Sequence, residues 1–175
     1  MTTPLTPAVI AGLQVGEPIA LSGRIYCGRD AVLPRLARLA AEGGDGLAAL
    51  GVDLTGAVIF HTAVSPAGIG PTTSNKVEIE GSIPALSQGG VRLHLGKGAL
   101  GPATVAALAQ AGSVFAITPP LTALFSACIV SSRVAAFPEE GMEALYELEV
   151  RDLPAIIAVA SGRSIFAPRP EEAVA

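Results

Sequence analysis

The chain is organised around the segment AVIFHTAVSPAGIGPTTSNK, residues 57–76. Residues 57–60 form a short apolar run with two β-branched side chains, which is typical of a buried strand. The remainder, residues 61–76, is predicted to be a loop at the end of that strand, because two glycines and two prolines interrupt it. Four short polar side chains then precede the cation Lys76. A loop of this composition suits a bound oxyanion.

Strand-like and helix-like segments alternate on both sides of this loop. Further strands are predicted at residues 19–27, 91–95, 113–117, 130–137, 144–150 and 154–160, with a hairpin turn at 161–163. Helices are predicted at residues 31–42, 83–88, 102–111 and 121–129, the second of them short because Gly81 and Pro84 interrupt the pattern. Residues 5–17 are expected to be extended segments and turns, and residues 45–55 a connection. The alternation predicts an α/β domain whose sheet is covered on both faces.

Length and composition predict one domain. The 175 residues are 50% hydrophobic, which is enough for a substantial core. Residues 1–175 are therefore assigned to a single domain, with residues 1–18 and 167–175 at its periphery. The apolar residues occur in short runs, none of which reaches the length of a membrane span. The first ten residues lack the basic and cleavage features of a signal peptide, so a cytoplasmic location is expected.

The charge distribution and the cysteines argue against two kinds of site. A nucleic-acid surface needs clustered cations with interleaved aromatic rings, whereas this chain has a net charge of −4 and 4% aromatic residues. Cys27 and Cys128 lie far apart and in no Cys-x-x-Cys pair. The chain is therefore not expected to hold a zinc ion or an iron–sulfur cluster by itself. Neither nucleic acid nor a membrane is expected as a partner.

Three cations stand at or just after the ends of predicted strands: Arg29, Lys76 and Lys97. In α/β folds ligands collect beyond the strand ends, so these cations are candidates for binding an anion. A single charged residue in such a position more often caps the strand and reaches water, and for the three together both interpretations stay open. Asp30 is placed to cap the following helix and to pair with Arg29.

Four ordered motifs identify a family that this chain resembles. They are IYCGRD at residues 25–30, GPTTS at 70–74, LGKG at 95–98 and EVRDLPA at 149–155. Over residues 23–166 the sequence resembles the β-subunit of class I fumarases and L(+)-tartrate dehydratases. The resemblance implies the swivelling β/β/α fold, which forms the C-terminal part of single-chain class I fumarases.

The resemblance also implies an activity, a cofactor and a partner. Proteins of this kind work with an α-subunit or N-terminal domain whose cysteines hold a [4Fe-4S] cluster, and they add or remove water on a small hydroxy-dicarboxylic acid. The chain is therefore expected to be the β-subunit of a hydro-lyase that is active only with a cysteine-bearing α-subunit. The alternative is a diverged anion-binding or accessory protein that keeps the fold without catalysis.

Carried over position by position, the resemblance assigns roles to residues of this chain. The catalytic residues are Thr72, Thr73 and Lys97, with Thr72 as the proton-transfer group. The substrate-binding residues are Arg29, Gly70, Pro71 and Lys76. Arg29 and Lys97 act as carboxylate clamps, of which the arginine can form two parallel hydrogen bonds and the lysine acts as a point charge. None of these residues is a metal ligand.

Departures from the family pattern bear on this chemistry. The departing residues, with the family residue in brackets, are Leu33 (histidine), Lys76 (arginine), Glu78 (aspartate) and Pro119-Pro120 (paired glycines). Replacing an arginine that binds a carboxylate through two hydrogen bonds costs about 1.5 to 3 kcal/mol of binding free energy. A loss of this size is compatible with a changed substrate as well as with a lost activity. A phosphate-binding loop of nucleotide hydrolases is not supported, because that loop needs a serine or threonine where Val77 follows the lysine.

The remaining polar candidates are expected to be structural. His61 and His94 lie in or next to predicted strands, and a satisfied structural role is favoured over a catalytic one for both. The acidic side chains at residues 139, 140 and 143 are expected to form a solvated turn.

Overall fold

The computed structural model describes residues 1–65, 68–72, 76–119 and 122–167 of the chain. The helices are α1 (Pro7–Ala11), α2 (Leu33–Glu42), α3 (Gly46–Ala49), α4 (Lys76–Gln88), α5 (Pro102–Ala111) and α6 (Thr122–Cys128), with a 3₁₀ helix at Pro138–Glu143. The strands are β1 (Pro18–Gly28), β2 (Val58–Ser65), β3 (Gly68–Thr72), β4 (Leu93–Gly96), β5 (Val114–Ile117), β6 (Ile129–Ala136), β7 (Leu145–Ala160) and β8 (Arg163–Ser164). The fold is mixed α/β, as the alternating pattern predicts. No helix in these ranges is long and apolar enough to cross a membrane.

The strands pair in the order β1-β2-β4-β5-β7-β6, with β3 added to β2 and β8 added to β7. β1, β2, β4 and β5 run parallel to their neighbours. β7 pairs antiparallel with β5 through residues 156–159 and, along its other edge, with β1 through residues 146–156. Because β7 joins both ends of the parallel set, the hydrogen bonding closes into a circuit. β6 pairs with the first half of β7, outside this circuit.

β7 is a single strand of 16 residues where the sequence predicts two, at 144–150 and 154–160. The composition around Asp152 and Pro154 disfavours a strand. In the structure Asp152 adopts a positive φ of 52°, and its backbone N–H donates to Ser22 Oγ on β1 at 3.0 Å. The pairing with β1 shifts register at the same place, so a local irregularity carries the strand past these residues.

The core follows the alternation of side chains along the strands. One set packs inside the circuit and includes Leu21, Phe60, Leu95, Ala116 and Leu148. The alternate set points outwards and is covered by helices, with Ile59 and Leu145 packing with α2 residues, and Phe115 and Val159 with α5. The sheet is thus buried on its inner side by its own side chains and on its outer side by helices.

Residues 1–18, expected at the periphery, contribute Leu5, Ile10 and Leu13 to the inner cluster. Part of this segment is helical, α1, where extended structure was expected. A bridge between Thr2 and Ser22 ties its start to β1. The segment therefore takes part in the packing of the core.

Helix ends agree with the predictions where proline and glycine mark them. α2 has Pro34 in its first turn and ends at Gly43, whose φ is 68°. α5 begins at Pro102 and ends at Gly112 in the left-handed conformation. The expected cap at Asp30 is wrong, because α2 starts after Val32 and no side chain caps it among the described residues.

α4 is longer than the predicted helix at 83–88 and contains both Gly81 and Pro84. A proline inside a helix costs about 3 kcal/mol, which is why the sequence predicts a break. Ile83 and Leu86 on α4 are fully buried, and each such side chain contributes about 1.5 to 3 kcal/mol. Packing of α4 against the sheet and its neighbouring helices therefore overrides the local preference.

Three buried polar side chains form a line across β2, β4 and α4. His61 Nε2 lies 3.2 Å from His94 Nδ1, and His94 Nε2 lies 2.9 Å from Ser87 Oγ. Burial lowers the pKa of His61 to about 4. Burial, together with the neighbouring His61, lowers the pKa of His94 well below its usual value. Both rings are therefore neutral at pH 7.

We expect the free energy of unfolding to fall as the pH is lowered from 6.5 towards 4. The unfolded chain binds protons on both histidines below about pH 6.5, whereas folded His61 resists protonation until about pH 4. Stability contributed by the neutral rings is thus complete above pH 6.5 and is lost as acid is added. For His61 alone the loss is about 3 kcal/mol at pH 4. Urea unfolding at a series of pH values between 7 and 4 measures this loss of unfolding free energy.

The matched control is His61→Gln, which keeps a hydrogen-bonding side chain but does not titrate. Its unfolding free energy should vary less with pH than that of the unmodified chain above about pH 5, where carboxylates contribute little. Equal slopes for the two proteins would contradict the assignment of a depressed pKa to His61.

Candidate functional site

The parallel strands bring their carboxyl ends to one edge of the sheet. The register pairs nearest this edge are Gly28–His61 between β1 and β2, and Phe60–Leu95 between β2 and β4. Arg29 comes directly after Gly28 at the end of β1, and Lys97 comes directly after Gly96 at the end of β4, so each cation follows a strand that neighbours β2. Neighbouring strands are about 4.8 Å apart, so the ends of β1 and β4 are separated by about 10 Å. The structure thus brings together two of the cations that the sequence singles out.

Arg29 is partly buried at the end of β1 and already contacts a carboxylate. Its Nη1 lies 3.4 Å from Glu143 Oε1 in the 3₁₀ helix, so the ion-pair partner is not the expected Asp30. Its Nε is buried and has no hydrogen-bonding partner among the described residues. The two side chains of the ion pair are 31% and 38% exposed, which makes the pair weak. A carboxylate from a ligand can therefore replace Glu143.

The acidic side chains at residues 139, 140 and 143 are solvent-accessible, as expected of a solvated turn, and each of them also forms an ion pair. Arg35 of α2 bonds Glu140 at 2.9 Å and Glu139 at 3.1 Å. Its guanidinium also lies 4.0 Å from the centre of the Phe137 ring. The 3₁₀ helix is thereby fastened to α2 as well as to Arg29.

The prediction of a loop at residues 61–76 is wrong for most of the described part of this segment, because β2 continues into it and both of its glycines lie in β3. β2 continues to Ser65, and β3 returns antiparallel to it, with Thr72 in register with Thr62. Thr62 Oγ1 donates a hydrogen bond to the Gly70 carbonyl at 2.7 Å, which fixes the hairpin. Since His61 pairs with Gly28 at the end of β1, the pairing of the next residue, Thr62, with Thr72 places the backbone of Thr72 close to the strand ends that precede the two cations.

A hairpin was not expected here because proline and glycine disfavour strands. β3 pairs with β2, and Pro71 is tolerated in such an edge strand. Gly68 has a φ of 113°, and a Cβ there would overlap Ser126 Oγ of α6. Among the predicted site residues, Thr73 lies outside the described residues. For Pro71, Thr72 and Lys76 the structure defines the backbone.

Lys97 is exposed and lies on the connection from β4 to α5. Glu80 of α4 holds the far end of this connection, because its Oε2 accepts hydrogen bonds from the Gly101 N–H, at 2.8 Å, and from Thr104 Oγ1. The carboxylate thus caps the N-terminus of α5 from a neighbouring helix. Lys76 is the first residue of α4, one turn before Glu80. The same contact therefore brings the start of α4 towards the Lys97 connection.

This arrangement can bind an anion that carries a negative charge at each end. Arg29 and Lys97 are long enough to converge on a short carbon chain from backbones about 10 Å apart. The guanidinium supplies a directional pair of donors, whereas the ammonium supplies a mobile point charge. The hairpin between them adds backbone groups and the predicted threonines.

The described residues do not fit an iron–sulfur cluster or another metal centre. Cys27 packs inside the circuit, where burial raises the pKa of its thiol. Cys128 ends α6, and its thiol lies 3.8 Å from the Asp152 carbonyl. In the ranges that the structure describes, no three metal-ligating side chains come together.

Sequence reasoning missed three residues that shape this edge: Thr62, Glu80 and Glu143. Glu80 and Glu143 bond residues that are distant in sequence, and Thr62 bonds Gly70 across a hairpin that the sequence did not predict. The one available signal was the spacing of Glu80, which follows Lys76 by one helical turn.

Comparison with known proteins agrees with the resemblance found in the sequence. The family model described as "Fumarase C-terminus" matches residues 1–168. The chain is 28% identical to the L(+)-tartrate dehydratase subunit beta of Escherichia coli strain K12, over 97% of this chain and 90% of that protein. The two proteins therefore match over nearly their whole lengths.

The class I fumarate hydratases are much longer than this chain. The anaerobic class I fumarate hydratase of Escherichia coli strain K12 is 29% identical over 87% of this chain, which spans 28% of that protein. A relative from Geobacillus stearothermophilus that carries the class I fumarate hydratase name is 30% identical over 92% of this chain and 32% of that protein. The chain belongs to the Fumarase C-terminus family, and its relatives are hydro-lyases.

Proposed function

We propose that this chain is the β-subunit of an iron–sulfur-dependent hydro-lyase that adds or removes water on a small hydroxy-dicarboxylic acid. The observation that carries the proposal is the position of Arg29 and Lys97 after the ends of β1 and β4, the two strands on either side of β2, with the Thr72 backbone paired to the end of β2. The tartrate dehydratase relative is itself named a beta subunit, which supports a separate α-type partner. This chain spans only 28% of the anaerobic class I fumarate hydratase, which also supports a second polypeptide that supplies the rest of the enzyme.

Arg29 and Lys97 bind the two carboxylates of the substrate in this proposal. Arg29 exchanges Glu143 for a substrate carboxylate, and Lys97 turns from solvent to the other end. The other assigned residues surround the carbon chain or move its proton: Gly70, Pro71, Thr72, Thr73 and Lys76. A threonine hydroxyl is a weak base, so Thr72 depends on the two nearby cations to stabilise its deprotonated form.

The [4Fe-4S] cluster is assigned to the cysteines of the α-type partner, because the described residues of this chain do not fit it. The closed circuit of strands with helices outside supports the swivelling β/β/α fold. The single domain over residues 1–175 and the cytoplasmic location stay predictions.

The test is anaerobic reconstitution of the chain with a cysteine-bearing α-type polypeptide. We expect fumarate hydration or tartrate dehydration by the complex and by neither polypeptide alone. Lys97→Ala should lower kcat by about 100-fold or more, because it removes a charge that stabilises the transition state. The matched control is Arg38→Ala, which removes an exposed cation from α2, away from the edge. Activity from this chain alone would contradict the proposal.

The same experiment distinguishes the hydro-lyase from the alternative, a non-catalytic accessory protein. A complex in which Lys97→Ala or Thr72→Ala weakens anion binding, and in which no hydroxy acid is turned over, would favour a non-catalytic binding protein. Loss of turnover with binding largely kept would favour catalysis.

Glu143→Gln should lower KM by up to about fivefold with little change in kcat. The substitution removes the carboxylate that competes with substrate for Arg29, and an exposed pair of this kind is worth less than about 1 kcal/mol. Steady-state kinetics of the complex measures it. Glu139→Gln, on the same 3₁₀ helix but paired with Arg35, is the control and should leave KM unchanged. A raised KM in Glu143→Gln would mean that the ion pair orients Arg29 instead.

Glu80→Ala should destabilise the fold by about 1.5 to 3 kcal/mol, because two hydrogen bonds to a carboxylate are lost. It should also lower kcat, since the connection that carries Lys97 loses its anchor. Thermal unfolding and kinetics of the complex measure the two effects. Thr104→Val removes one of the two bonds and should have an intermediate effect. An unchanged kcat in Glu80→Ala would show that the anchor does not position Lys97.

A further inference from the structure

The strand β6 is exposed on both of its faces. Side chains alternate between the two faces of a strand, yet residues 130–134 are all exposed, so neither face is covered there. β6 pairs with β7 and stands at the end of the strand order, so its other edge pairs with no strand in the described part of the chain. Both faces and one edge of this strand are therefore open to solvent.

The open strand carries apolar side chains and no uncompensated charge. Val130 is 54% exposed and Val134 is 41% exposed. The one charged side chain of β6, Arg133, donates to both carboxylate oxygens of Glu147 on β7, at 2.9 and 2.7 Å. Native proteins usually protect a free edge with charges, proline or a covering element. β6 has no proline and its single charge is paired, so this edge suits a strand added by a partner.

β6 ends next to the part of the candidate site that carries Arg29. The chain passes from β6 into the 3₁₀ helix, whose Glu143 lies 3.4 Å from Arg29. Across the sheet, Val134 pairs with Tyr146 on β7, and Tyr146 pairs with Cys27 on β1, two residues before Arg29. Two strand spacings of about 4.8 Å place the end of β6 about 10 Å from the end of β1. The exposed strand and the candidate site therefore lie side by side.

The 3₁₀ helix extends the apolar surface towards Arg29. Met142 in this helix is 61% exposed, more than any other large apolar side chain of the described residues, and it directly precedes Glu143. Val130, Val134 and Met142 thus lie within residues 130–142, close together along one hairpin. Clustered exposed apolar side chains are typical of a protein interface. Residues 130–134 together with Met142 are called the β6 surface below.

The proposed function decides which partner fits the β6 surface. In that proposal Arg29 binds the substrate, and the α-type partner holds the iron–sulfur cluster that the described residues of this chain do not fit. The partner must therefore contact this chain next to Arg29, where the β6 surface lies. A second copy of the chain would bring no cluster to this edge. The neutral, apolar character of the β6 surface suits a segment of the partner that is uncharged and extended.

We propose that the β6 surface is the docking site of the α-type partner, which adds an uncharged extended segment as a further strand to the free edge of β6. The inference rests on the proposed function and assigns the contact with its partner. Backbone groups of residues 130–134 pair with the added strand, and apolar side chains of that segment cover Val130 and Val134. Met142 is covered where the partner approaches Arg29.

Amide hydrogen exchange of the unmodified full chain tests strand addition. It is measured for the chain alone and for its anaerobic complex with the α-type polypeptide used for reconstitution. We expect the amides of residues 130–134 that point away from β7 to exchange at least about tenfold more slowly in the complex. The amides of β4, which lies inside the sheet, should exchange slowly in both samples and are the internal control.

Val134→Lys gives a second readout, because a lysine on an edge strand opposes pairing. It should raise the Kd of the complex by about tenfold or more and leave kcat at saturating partner within about twofold. The matched control is Val9→Lys on α1, outside the hairpin, where the valine is 42% exposed. It should leave the Kd unchanged. Both valines are exposed, so thermal unfolding of the two variants should resemble that of the unmodified chain.

Several results would overturn the inference. They are a complex in which residues 130–134 exchange as fast as in the free chain, and a Kd for Val134→Lys equal to that of Val9→Lys. Sedimentation of the free chain gives a third: a dimer that already protects these residues would make a second copy the occupant.

The outcome is separable from that of the proposed function. Turnover by a complex in which β6 stays unprotected overturns this inference alone. Protection of β6 in a complex without turnover overturns the hydro-lyase proposal alone. Failure to form any complex contradicts both.

Discussion

The double pairing of β7 is the constraint on which the rest of the structure depends. One edge of this strand bonds β1 and the other bonds β5, which turns a row of parallel strands into a closed circuit. Closure leaves those strands without free edges inside the circuit and fixes how far each one extends beyond its neighbours. The interior becomes a sealed apolar core, so polar groups can collect only at strand ends or beneath the outer helices.

Fixed strand lengths place the charges of the candidate site. Arg29 and Lys97 each follow the end of a buried strand, and those two strands, β1 and β4, lie on either side of β2. Carboxylates from elsewhere in the chain then restrain this edge, with Glu143 pairing Arg29 and Glu80 holding the connection that carries Lys97. The two restraints differ in kind. The exposed ion pair can exchange for a ligand, whereas the bonds of Glu80 to a helix start are structural.

The buried histidines show how a polar element is accommodated in such a fold. Their outward-facing positions on β2 and β4 would suit apolar residues, and burial keeps both rings neutral. Mutual hydrogen bonding and Ser87 satisfy three of the four ring nitrogens. The remaining nitrogen, Nδ1 of His61, is buried without a partner among the described residues.

Much of this could be inferred from the residues themselves. The apolar runs of β1, β2, β4 and β5, the helix ends at Gly43 and Gly112, and the cations after strand ends depend on local physics: side-chain burial, backbone freedom and charge. The four ordered sequence motifs identified the family. Other features could not be predicted from any local pattern. They are the joining of residues 144–160 into one strand, the continuation of α4 through Pro84, the β2–β3 hairpin, and the pairing of Arg29 with Glu143, of Gly101 with Glu80 and of His61 with His94. The hairpin depends on pairing between adjacent segments, and the others depend on contacts between segments far apart in the chain. In each case packing and hydrogen bonds outweigh local preferences of about 1 to 3 kcal/mol.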